Sequence, residues 1–153
     1  MLTVFDVAEY FISKVDEDTG ETITHLKLQK LTYYAYAWYL TLNDGDKLFN
    51  GRYEAWAHGP VNPELFHSYK EYGYTPIPVP ENFTLQVFSD DEIEFLDDIW
   101  NIYARYDAKY LEKLTHKEKP WKEARGRLPE GHSCNTPLKE ETMMEYYSSL
   151  LED

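Results

Sequence analysis

The stretch Phe49–Phe66, FNGRYEAWAHGPVNPELF, limits the folds open to this chain more than any other. Asn50-Gly51 is a signal for a tight reversing turn, because both residue types tolerate positive φ. Tyr53 to Ala57 can lie extended, with aromatic side chains near a period of two. Gly59-Pro60 should end that run: proline has no N–H to donate, and the residue before it avoids the helical region. Asn62 is a good helix N-cap and Pro63 suits the first helical position. The expectation is a short strand through Trp56, a constrained turn, and a helix from Pro63 to about Tyr72 that Gly73 ends.

Most of the remaining chain has helical spacing. Thr3 caps a first helix with Asp6 in an imperfect capping box, and Val7, Ala8, Phe11, Ile12 and Val15 share its apolar face. Thr24 caps a longer helix, about 25 to 42. One stripe holds Leu28, Leu31, Ala35, Trp38 and Leu42; the other side holds Gln29, Tyr33, Tyr36 and Leu40. A helix apolar or aromatic nearly all round is central and buried, so Leu31 and Trp38 are expected in the core. Gln29 and Lys30 are the exceptions, either paired inside or at a solvated helix end. Tyr74 to Phe88, with Pro76, Pro78 and Pro80, reads as an extended surface connection, with a short strand over 84–88 as an option. Ser89 to Glu92 is a capping box for a helix burying Ile93, Leu96, Ile99, Trp100 and Tyr103. Its Glu94, Asp97 and Asp98 share an acidic face. Asp107 caps a further helix through Tyr110, Leu111 and Leu114. Thr115 to Arg125 is a turn into another, Gly126 to Asn135 a loop, and Thr136-Pro137 the start of the last. The fold class expected is α+β, predominantly α-helical, one domain over 1–153 with a small β-hairpin or short-strand element.

Composition narrows function. With 42% hydrophobic residues and 153 in all, the chain can bury a core without disulfides or metal. Its 14 tyrosines, 4 tryptophans and 7 phenylalanines suit both cores and binding surfaces. A formal charge of −13 disfavours nucleic acid and permits steering toward a basic partner. The single cysteine, Cys134, suits a reducing compartment. Met1 to Val15 lacks the pattern of a signal peptide, and no apolar run reaches transmembrane length. A soluble cytoplasmic protein with no membrane partner is expected.

No catalytic arrangement stands out. The phosphate-binding glycine-lysine loop, the HExxH zinc pattern and a CxxC pair are absent. His132-Ser133-Cys134 is an incomplete ligand set, and Cys134 with His58 or His116 would be a nucleophile pair only if the fold joined them. His58 before Gly59-Pro60 reads first as a turn residue hydrogen-bonding locally. No cofactor, metal or catalytic residue is assigned, and the chain is expected not to be an enzyme.

Three segments resemble a known family. LQKLTYYAYAWYL from Leu28, AWAHGPV from Ala55 and THKEKPW from Thr115 stand in the order and at about the distances of the Panacea domain, the SocA-like antitoxin domain, which also occurs in phage-associated proteins. The resemblance covers about residues 1 to 150. It implies a mainly helical domain with a small β element that neutralises a protein toxin of a type II toxin–antitoxin pair by direct contact. It also implies, for SocA-type members, a role as adaptor to a host protease. Many members carry a further DNA-binding or variable segment, for which this chain has no room. The motif positions carried over are Leu28, Gln29, Lys30, Tyr33 and Tyr34, then Trp56, Gly59, Pro60 and Val61, then Thr115, His116, Pro120 and Trp121; the candidate partner-binding or motif residues are Gln29, Lys30, Tyr33, Tyr34, Trp56, His58, Gly59, Pro60, His116 and Trp121. The rival readings are an inhibitor of a host defence or regulatory protein, made by a phage or mobile element, and a small enzyme with an unrecognised site.

Overall fold

A computed structural model describes residues 1–152. Its centre is α2 (His25–Leu42), with Thr24 Oγ1 accepting from the Lys27 amide at 3.3 Å. Leu28, Leu31, Tyr34, Ala35, Ala37 and Leu40 are all buried, and so are Gln29, Lys30, Tyr33 and Tyr36. A helix buried on every side needs neighbours on every side. α1 (Val4–Ser13), α4 (Asp90–Tyr103), α5 (Ala108–Lys117), α7 (Glu140–Ser149), α3 (Pro63–Tyr69) and a β-hairpin all pack on it. α6 (Lys119–Arg125) joins α5 to α7 and packs on the hairpin. The architecture is the expected α+β, mostly helical, with one two-stranded antiparallel sheet among the described residues.

The predicted caps form. Thr3 and Asp6 make a complete capping box on α1, and Ser89 and Glu92 another on α4. Asn62 Oδ1 accepts from Leu65 N at 3.0 Å, with Pro63 as the first residue of α3. Asp107 Oδ1 accepts from Tyr110 N at 2.8 Å to start α5. Each satisfies an amide that the first helical turn leaves without a partner. The acidic face of α4 is only partly free. Asp97 accepts from the Tyr10 hydroxyl and pairs with Lys14 at 2.9 Å, tying α4 to α1.

Several local expectations are corrected. Asn50-Gly51 makes no reversing turn; the reversal falls at Ala57-His58, between β1 (Glu54–Trp56) and β2 (Gly59–Val61). Gly59-Pro60 therefore does not end the extended run but opens the second strand. Pro60 faces Ala55 across the pair, and the outward-facing Ala55 groups bond elsewhere, so the missing proline N–H leaves no gap in the ladder. Thr136-Pro137 does not begin the last helix. Ala55 N donates to Thr136 O and Leu138 N to Tyr53 O, so 136–138 lies along the outer edge of β1 and α7 starts only at Glu140. Residues 84–88 form no strand, α3 tightens into a 3₁₀ turn at Lys70–Tyr72, and Thr115–Lys117 belongs to the end of α5. Trp38 is half-buried rather than buried, its Nε1 donating to Tyr103 Oη at 2.8 Å, and Leu42 is 55% exposed.

Candidate functional site

The three motif segments meet at the hairpin. From α2, Gln29 holds residue 62 in a two-way clasp: Nε2 donates to Asn62 O at 3.0 Å, and Asn62 N donates to Oε1 at 2.8 Å. The next residue, Lys30, passes under Gly59 to place Nζ 3.5 Å from Pro60 O. Lys30 is 1% exposed, and burial lowers its pKa to about 8 against the opposing pull of Glu112. Gly59 has φ +107, and a Cβ there would stand 2.7 Å from Lys30 Cε and 2.8 Å from Thr115 Oγ1. Only glycine fits both the backbone conformation and the space.

The third segment closes the other side. Trp121 Nε1 donates to Trp56 O at 2.9 Å, and the His116 ring stacks on Trp121 with centroids 3.9 Å apart. Burial lowers the His116 pKa, against the pull of Glu112, Glu130 and the Ala57 backbone, and its Nε2 is buried without a partner. Arg125 Nη1 donates to Ala55 O at 2.9 Å while Nη2 holds Pro129 O and His132 O, and the guanidinium lies over the Trp121 ring. Both outer edges of the hairpin are thus occupied, β1 by 136–138 and Arg125, β2 by Lys30. At its tip His58 Nδ1 stands 3.0 Å from Glu112 Oε1.

Behind the hairpin lies a cage of tyrosines around one acid. Glu118, between α5 and α6, accepts at Oε1 from Tyr34 Oη at 2.9 Å and from Tyr147 Oη at 2.8 Å. Tyr33 Oη bonds Tyr147 Oη at 3.0 Å, and Tyr34 stacks flat on Tyr103 at 4.0 Å. Burial raises the Glu118 pKa to about 7, although both hydroxyl donors oppose the rise. Glu118 therefore joins α2, α7 and the α5–α6 junction through one carboxylate.

A groove of about 750 Å³ opens beside the hairpin. Its walls are the start of α2 (His25, Gln29), the hairpin (Trp56, Val61), α3 (Phe66) and Cys134 from the loop before 136–138. Trp56 and Phe66 meet edge to face at 4.9 Å.

Of the residues singled out from the sequence, Gln29, Lys30, Tyr33, Tyr34, Gly59, Pro60 and Trp121 are buried. Trp56 and His116 are half-buried and His58 is exposed. Cys134 lines the groove with His58, whereas His116 is stacked on Trp121. Among the described residues no three metal-ligating side chains come together. Sequence reasoning missed Glu118, Arg125, Asn62 and Tyr147 as parts of this assembly. A buried acid or arginine within a charged helix has no mark of its own in sequence, since its neighbours Lys117, Lys119 and Lys122 are equally polar and stay exposed.

The fold and this assembly define a class: a mostly helical α+β domain whose hairpin is clamped at both edges by side chains from a buried central helix and a short helix pair. The model of the SocA-like antitoxin family, the Panacea domain, matches residues 28–122, which contain all three segments. Antitoxin SocA of Caulobacter vibrioides (strain NA1000 / CB15N) is 41% identical over 51 residues. That match takes in 33% of this chain and 27% of the relative, so the chain spans little more than a quarter of the curated relative it matches. No solved structure matches. The chain belongs to the SocA-like antitoxin family of Panacea-domain proteins.

Proposed function

We propose that this protein is an antitoxin that neutralises a protein toxin by direct contact, without catalysing a reaction. The observation that carries this reading is the family match over 28–122, which contains all three motif segments that meet at the hairpin. The geometry supports a division of labour within that hairpin. Gln29, Lys30, Gly59 and Pro60 fix its backbone from inside, which leaves the half-buried Trp56 and His116 and the exposed His58 as the motif side chains within reach of a partner. Rigid aromatic side chains lose little entropy on contact and so make effective anchors.

The formal charge of −13 supports a basic protein partner and opposes nucleic acid as a ligand. No helix among the described residues is long and apolar enough to cross a membrane, and the proposed site of action is the cytoplasm, where the toxin would be made. Delivery of the captured toxin to a host protease would be a second activity of the same complex.

Co-expression with the neighbouring genes tests the reading. A small toxic reading frame beside this gene should be silenced by it, with the two proteins purifying together. If no neighbouring product is toxic, or growth is rescued without any complex forming, neutralisation by contact is wrong. Loss of the toxin from rescued cells only when a host protease is present would establish the adaptor role.

A further inference from the structure

The groove beside the hairpin differs from an enzyme cleft in what its polar groups are doing. Gln29 is committed to the Asn62 backbone, and Glu54 accepts from Trp56 Nε1 at 2.8 Å and pairs with Arg52 at 3.1 Å. Its apolar surface is chiefly Trp56, Val61 and Phe66, and the exposed His58, His67, Ser133 and Asn135 also line it. One polar group in its lining is buried without a partner. His25 is only 8% exposed, sits edge to face against Phe66 at 5.8 Å, and has a buried Nδ1 with no hydrogen-bond partner. Such a nitrogen is costly to leave unpaired.

The hairpin also restricts how a partner can approach. β1 is paired by 136–138 and Arg125, and β2 presents a proline and a carbonyl already facing Lys30. A partner strand has no edge to extend, so contact must come through side chains entering the groove. Acidic residues flank it, Glu54 on its wall and Glu112 at the hairpin tip, within a chain of charge −13.

We propose that this groove seats one aromatic side chain bearing a hydrogen-bond donor, tryptophan or tyrosine, carried on a basic segment of the partner protein. The ring packs in the groove against the joined faces of Trp56 and Phe66, its donor satisfies His25 after a turn of the imidazole, and the flanking cations meet the acidic rim. This deepens the antitoxin reading by naming the chemistry of the partner's contact segment. A groove of this size accepts one large side chain and part of its neighbours, and aromatic anchors in such pockets dominate many protein interfaces.

The test uses the full chain and the capped peptide Lys-Arg-Trp-Arg-Lys, with analogues that replace Trp by Phe or Ala, or the four cations by glutamate. Binding is followed by NMR on the Trp56 indole and the His25 ring. The Trp peptide should bind at least tenfold more tightly than the Ala peptide, move both signals, bind more tightly than the Phe peptide, and weaken severalfold or more with glutamates. Attaching a bulky maleimide to Cys134, the sole cysteine and part of the groove wall, should abolish binding, whereas C134A should retain it. Equal binding of the Trp and Ala peptides, unmoved groove signals, or no binding at millimolar peptide overturns the proposal. Equal binding of Trp and Phe removes the donor from it. Peptide binding without a toxin complex would sink the antitoxin reading and leave the groove; a toxin complex that survives maleimide at Cys134 would do the reverse.

Discussion

At Gly59 one missing atom sets the geometry of the hairpin. A methyl group there would overlap Lys30 Cε and Thr115 Oγ1, and the φ of +107 is one that side chains rarely adopt. Gly59→Ala should lower unfolding free energy by about 1–3 kcal/mol from backbone strain alone, with more from displacing Lys30; urea denaturation reads it directly. Lys30 gives a separate signature. Its folded pKa is about 8 against an ordinary 10.5, so between those values the unfolded chain binds more protons and stability rises with pH. The contribution is full above 10.5 and is lost as pH falls through 8. Lys30→Met, which keeps the length and drops the charge, should remain folded, equal or exceed the parent in stability at neutral pH, and flatten that rise. Stability that falls sharply in this variant would mean that the ammonium is better satisfied than its single 3.5 Å contact indicates. Both residues were legible in the sequence as motif members, but their relation was not: Gly59 reads as a breaker until the lysine passing beneath it is seen.

Among the elements, the α5–α6 junction carries the most consequential group. Glu118 titrates at about 7 when folded against 4.5 ordinarily, so the native state binds more protons between those values. Its contribution is present below 4.5 and lost as pH rises through about 7. Glu118→Gln keeps an acceptor for Tyr34 and Tyr147 and removes the titration. Thermal melts between pH 4.5 and 7 should show a shallower decline for this variant than for the parent; identical slopes would place the effect elsewhere. The helices were readable because their signals are local: Thr3, Thr24, Asn62, Ser89 and Asp107 cap the helices they were expected to cap. The hairpin was misread where tertiary contacts outweigh dipeptide preference. Leu2 bridges Phe49 and the Tyr36 hydroxyl holds Gly51 O, so Asn50-Gly51 is drawn out rather than turned. Pro137 is tolerated beside β1 because an outer strand has an edge where no N–H is required. Leu42 followed the apolar spacing of α2 but lies on the helix's last turn, outside its packing neighbours.

Over the whole molecule, charge and site act at different stages. The net −13 should raise the rate at which a basic partner arrives more than it tightens the final complex. Stopped-flow association should therefore slow by about tenfold or more from low to high salt, with dissociation changing far less; a salt-independent association rate would remove steering. The three segments were legible as motifs, and Gln29 and Lys30 stood out as the polar exceptions on an otherwise apolar helix. The division into buried clamp and accessible face was not, because burial of Tyr33, Tyr34 and Trp121 depends on Glu118, Tyr147 and Arg125 from other elements. The central claim is that the clamped hairpin presents the surface that captures the toxin. Calorimetric affinity of the purified toxin complex, compared between the parent and Trp56→Ala variants with matched melting temperatures, tests it most directly. The account predicts at least tenfold weaker binding, about 1.4 kcal/mol; an unchanged affinity in a folded Trp56→Ala variant would contradict it.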